Sequence, residues 1–158
     1  MGADIYLNTV LEKCKAQYEK QWKTAIRNRD YATGIEKALY QKQVNELFEK
    51  MYSEGYFRDS YNATSLSEVL GFSWWKDVVP VLRAGKLPIS QAKKLKERIE
   101  SLQLPEITED FLRERKISID EGENSVANWK AYFERKRTKL IDLLELSIQT
   151  KEPLFCSL

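Results

Sequence analysis

Apolar residues recur over the first part of the chain at Leu7, Leu11, Cys14, Tyr18, Trp22 and Ala25, at spacings of four, three, four, four and three. This is one stripe of an α-helix, with lysines and glutamates filling the other faces. It predicts a helix capped at Asp4 or Asn8 and fading near Asn28 to Asp30. If Asn8 is the cap, Ile5 and Leu7 fall in an extended arm. Thr33 followed by Glu36 has the spacing of a capping box, and Ile35, Leu39, Val44, Leu47, Phe48 and Met51 mark the apolar side of a second helix. Gly55 is placed to end it in a left-handed turn. Two long helices with so short a connection fold back on each other antiparallel.

Shorter pieces follow. Residues 56–64 read as irregular. Ser65 with Glu68 repeats the capping box, and Gly71 stops a short helix after Leu70. Ser73 caps a helix through WWKDVVPVLRAG, which Pro80 must bend or split because it has no N–H to donate. Ser90 begins SQAKKLKERIESL, striped by Ala92, Leu95, Ile99 and Leu102 and ended by Pro105, and Thr108 caps a short turn in EDFLRER. Residues 116–124 read as a loop in which Ile117 and Ile119 alternate with polar residues, enough for a tiny strand with no obvious partner. A last long helix runs from about Ser125 to Thr150. Val126, Trp129, Phe133, Leu140, Leu143, Leu144 and Ser147 form its inner face, Lys136 interrupts that face, and Pro153 leaves the tail LFCSL. No repeat, linker or low-complexity tract breaks the chain. The pattern predicts an all-α fold: a single-domain helical bundle over residues 1–158, of about five to seven helices, three of them long, with the first two forming an antiparallel hairpin.

Composition adds limits on function. At 158 residues with 42% hydrophobic content, the chain is long enough to bury roughly 70% of its extended surface. Its 26 basic and 24 acidic residues leave a net charge of +2, which gives no bulk field for binding phosphate backbones. Histidine is absent, which removes His-based triads, imidazole zinc ligands and a His general base. No enzyme activity, cofactor or metal is therefore expected. No apolar run approaches the ~20 residues of a membrane span. The N-terminus lacks the basic flank of a signal peptide, and Tyr6 stands where a myristoylation motif has Ser or Thr. These features predict a cytoplasmic protein. Cys14 and Cys156 read as reduced thiols rather than a disulfide; Cys14 lies on an apolar stripe, and Cys156 in the tail is the more reactive of the two.

Residues 54–80, EGYFRDSYNATSLSEVLGFSWWKDVVP, hold two of the four tryptophans and two of the eight tyrosines. One reading is a layer of rings laid across the helical hairpin, with Arg58 and Asp59 fixing the irregular segment through charge-assisted hydrogen bonds. The other is a binding rim for a partner or ligand made of Tyr56, Arg58, Tyr61, Asn62, Trp75 and Lys76, since Tyr, Trp and Arg suit interface hot spots. An alternative function is nucleic-acid binding by basic helix faces around 86–98 and 130–139, through Lys93, Lys94, Arg98, Arg135 and Arg137. Glu97, Glu100 and Glu134 are interleaved there and offer helical ion pairs instead. A His-free enzyme would need Asp59, Tyr61 or Asp77 to converge in an open cleft. The DEGEN segment lacks the ligand ladder of a calcium loop, and no phosphate loop, dinucleotide glycine pattern, CxxC or nucleophile elbow occurs.

The segments MGADIY, GYFRDSYNATSL, SWWKDVVP and EPLFCSL resemble a group of small uncharacterised bacterial and phage proteins. The resemblance implies a prokaryotic or viral cytoplasmic origin and supplies no activity, ligand or catalytic residue. The functional expectation is a non-catalytic interaction or accessory protein, with a protein partner or a second copy of itself as its complement.

Overall fold

The computed structural model describes residues 2–158, which divide into two compact units: residues 6–56, and a larger one of residues 2–5 with 57–158. In the smaller unit, helix α1 (Asn8–Tyr31) and helix α2 (Gly34–Met51) are joined by two residues. Arg29 donates to Gln41, Ala25 packs with Val44 and Leu47, Trp22 meets Phe48, and the Cys14 thiol donates to the Lys50 carbonyl. Partners that descend along α1 climb along α2, so the hairpin is antiparallel as expected.

The apolar stripe of α2 is narrower than the sequence suggests. Val44, Leu47 and Met51 are buried, whereas Ile35 and Leu39 are 84% and 63% exposed. Phase explains the difference: at about 100° per residue, nine positions from Val44 put Ile35 on the opposite side of the helix. The Thr33 side chain makes no capping hydrogen bond. Gly55 does not end α2, which stops at Met51. It holds φ +71 where the chain leaves the hairpin, its carbonyl accepts the Leu7 amide at 2.8 Å, and an added Cβ would lie 2.8 Å from the Leu11 nitrogen. Only glycine fits there.

The larger unit carries the main correction, because the fold is mostly helical (63%) but not all-α. Strands β1 (Gly2–Tyr6), β2 (Tyr56–Ser60), β3 (Lys86–Leu87) and β4 (Leu154–Ser157) form one sheet in the order β2-β1-β4-β3. Strands β3 and β4 are antiparallel, with Lys86 opposite Phe155. The extended arm left open before Asn8 is β1, the segment expected to be irregular contains β2, and the tail contains β4. These strands have two to five residues each, and β1 lies between partners drawn from the middle and the far end of the chain. Such pairings leave little local trace in a sequence.

The remaining elements are α3 (Leu66–Leu70), α4 (Ile89–Ser101), α5 (Glu109–Glu114) and α6 (Val126–Thr150). The side chains of Ser65, Thr108 and Ser125 cap α3, α5 and α6. Helix α4 starts after Pro88 rather than at Ser90. Pro80 splits its segment into a wide π-type turn, Trp74–Val78, and a 3₁₀ turn, Val79–Val81. No strand forms at Ile117 and Ile119. Ile117 is buried instead, in a core cluster with Val69, Ile107, Leu112 and Phe133. Among the described residues, no helix is long and apolar enough to cross a membrane.

Candidate functional site

The burial alternation of β2 sends Phe57 and Asp59 inward and Arg58 outward. A carboxylate without partners at such a position would be strongly destabilising. Asp59 is fully buried, and it is surrounded by donors. Its Oδ1 accepts the amides of Ser60 (3.0 Å) and Leu66 (2.8 Å) and the ammonium of Lys136 (2.9 Å). Its Oδ2 accepts the Ser67 amide (3.0 Å), the Trp74 indole N–H (2.9 Å) and the Ser65 hydroxyl (3.2 Å). Leu66 and Ser67 begin α3, so the carboxylate satisfies amides that a helix start leaves without internal partners. Burial by itself raises the pKa of Asp59. The Lys136 charge, the Trp74 and Leu66 hydrogen bonds and the Lys136 hydrogen bond outweigh burial and hold the carboxyl below its ordinary value.

Lys136 interrupts the apolar stripe of α6 because its head reaches Asp59, and it also lies 5.1 Å from the centre of the Tyr132 ring. One ion pair therefore ties together β2, the start of α3, the Trp74 turn and α6. With both oxygens saturated, Asp59 organises the fold and has no acceptor capacity left for a substrate.

This anchor separates two neighbouring indoles. Trp74 is 1% exposed, 6.3 Å from Phe57 and edge-on to Phe72 at 4.9 Å. Both ring partners belong to its own unit. Trp75 is 57% exposed and lies against Tyr61, with ring centres 6.2 Å apart and tilted by 32°. Burial, then the charges of Asp4 and Asp59, raise the pKa of Tyr61, so it keeps its proton at neutral pH. Arg58 is exposed and pairs with Asp4 at 3.7 Å, and Lys76 is exposed beside Trp75. The Asn62 side-chain oxygen accepts from the Ser60 hydroxyl and from the Thr64 amide and hydroxyl, so Asn62 shapes the loop that carries Tyr61. Tyr56 belongs to the smaller unit, where it meets Tyr52 edge-on at 5.0 Å. Of the six residues expected at a rim, Arg58, Tyr61, Asn62, Trp75 and Lys76 are exposed residues of the larger unit, with the Asn62 oxygen committed to its own loop.

Asp77 accepts the Ser73 amide at 2.7 Å and pairs with Arg98 at 2.8 Å; these bonds hold its carboxyl low. Arg98 is thus engaged within the unit. So is Arg137, whose guanidinium donates to the carbonyls of Ile99, Glu100 and Leu102 and closes the C-terminal end of α4. Lys93 and Lys94 are exposed on α4, and Arg135 lines a cleft at the start of α6. The five basic residues therefore serve several purposes. Both cysteines are free thiols, and burial pushes the Cys156 thiol up to about 12, which disfavours its thiolate.

Sequence reasoning missed the Asp59–Lys136 pair, whose members are 77 residues apart. Its one trace was a lone lysine in an apolar helix stripe. Compared with known proteins, the chain matches no family model, and no curated protein or solved structure is significantly similar to it.

Proposed function

We propose that this protein is a non-catalytic interaction module that docks a protein partner on the Trp75–Tyr61 rim, flanked by the cations of Arg58 and Lys76. The observation that carries this reading is the 57% exposure of Trp75, immediately after a fully buried tryptophan hydrogen-bonded to Asp59. A large ring held in water on a rigid support loses little conformational freedom on binding, which is what an interface anchor requires. The flanking cations favour a partner surface with an acidic margin. The bacterial or phage cytoplasmic setting rests on the resemblance of the four short segments.

A photo-crosslinking residue at position 75 is expected to trap a discrete protein in the native host, and one at the exposed Lys130 is not. Tyr61→Ala should remove the trapped species while changing stability by no more than about 1 kcal/mol. Equal trapping at both positions, or a Tyr61→Ala protein that still binds, would sink the proposal.

A further inference from the structure

Asn128, Trp129, Tyr132 and Arg135 follow one another on α6 at spacings that place them on one helix face. The preceding loop brings Glu123 and Asn124 to the same side, and these six residues line a cleft of about 430 Å³. That size lies toward the lower part of the roughly 300–1,000 Å³ range of small-molecule sites.

The walls are fixed. The Trp129 indole N–H donates to the Ser118 carbonyl at 3.0 Å, while its ring stacks on Phe133 and meets the Tyr132 edge. Asp120 closes the loop by accepting the Gly122 and Asn124 amides. The Asn128 side-chain nitrogen donates to the Gly122 and Glu123 carbonyls, which leaves its oxygen as an acceptor for a ligand. Neither Glu123 nor Arg135 forms an ion pair among the described residues. The cleft thus combines one fixed aromatic wall, one guanidinium, one carboxylate and one amide oxygen.

We propose that this cleft binds a free aromatic amino acid. The ring packs on Trp129 and Tyr132. Arg135 takes the carboxylate through paired N–H bonds. Glu123 and the Asn128 oxygen take the ammonium group. A ligand with only one charge leaves Glu123 or Arg135 without its counterpart, and an aromatic residue inside a peptide carries neither charge. The site is independent of the Trp75 rim.

The test is an NMR titration of the full chain with L-phenylalanine, following the Trp129 indole and Arg135 guanidinium signals. Parallel titrations use phenethylamine, 3-phenylpropanoate and N-acetyl-phenylalaninamide. Phenylalanine should give saturable shifts, and the three analogues should bind about tenfold more weakly or worse. Arg135→Gln should abolish the preference for phenylalanine over phenethylamine while keeping that over 3-phenylpropanoate, and Glu123→Gln should do the reverse. Both residues are exposed, so both variants retain the fold. The proposal is overturned if phenylalanine produces no saturable shift by about 10 mM, or if the capped peptide analogue binds as well as the free amino acid. Variants that leave all preferences unchanged would also overturn it.

Discussion

Asp59→Asn is expected to destabilise the protein by about 3–5 kcal/mol, read as a loss of unfolding free energy in urea. The amide that replaces the carboxylate has one oxygen for a set of donors that both Asp59 oxygens now share, and its NH2 group must face at least one of them. Lys136, with a side chain only 15% exposed, keeps its charge and loses its counterion. Lys136→Met is the informative companion. If the pair acts as a unit, the double variant is less destabilised than the sum of the two single variants.

The same group predicts a pH profile. Its folded pKa lies below the unfolded value of 3.8, so its stabilising contribution is fully present above that value. The contribution is lost as pH falls from about 3.8 through the folded pKa, because protonation then breaks the ion pair. Asp59→Asn should flatten the stability profile in that acid range and leave its neutral shape unchanged.

Trp74→Ala is expected to destabilise by a similar amount, about 3–5 kcal/mol, through the cavity left among Phe57, Phe72 and the rest of this core. Trp74→Phe separates the ring from its donor. It keeps most of the packing and removes the N–H bond to Asp59, and its effect is expected to be about 1–3 kcal/mol. In the Asp59→Asn background the Trp74→Phe effect should shrink, because the charged acceptor is already gone. Urea unfolding of the four proteins measures that coupling. A Trp74→Phe effect unchanged by Asp59→Asn would mean that the indole bond contributes through packing alone.

The long helices were legible because their inner faces repeat with the helical period: Leu11, Cys14 and Ala25 in α1, and Phe133, Leu140 and Leu144 in α6 are buried as the pattern requires. Caps at Ser65, Ser73 and Thr108 were legible because a cap involves only neighbours in sequence. The sheet was not. Strand β2 alternates correctly, but one of its two inward residues is an aspartate, so its signature reads as a polar loop. Ile35 and Leu39 misled in the opposite direction, as apolar residues on the outer side of α2. Adjacent residues on a helical turn point different ways, so Trp74 and Trp75 do not share one environment. Which one is buried depends on Asp59, and the carboxylate's setting depends on Lys136 in the last helix. The cleft at Trp129 needed the folded 120–124 loop, so its composition in sequence was only a scatter of polar residues before and along a helix.

Hydrogen exchange at the tryptophan indole N–H groups tests most directly whether one carboxylate holds Trp74 inside and leaves Trp75 outside. The Trp74 indole proton should persist in heavy water long after that of Trp75 has vanished, and its protection should fall when Asp59 is replaced by Asn. Comparable rates for the two indoles in the native protein would contradict this account.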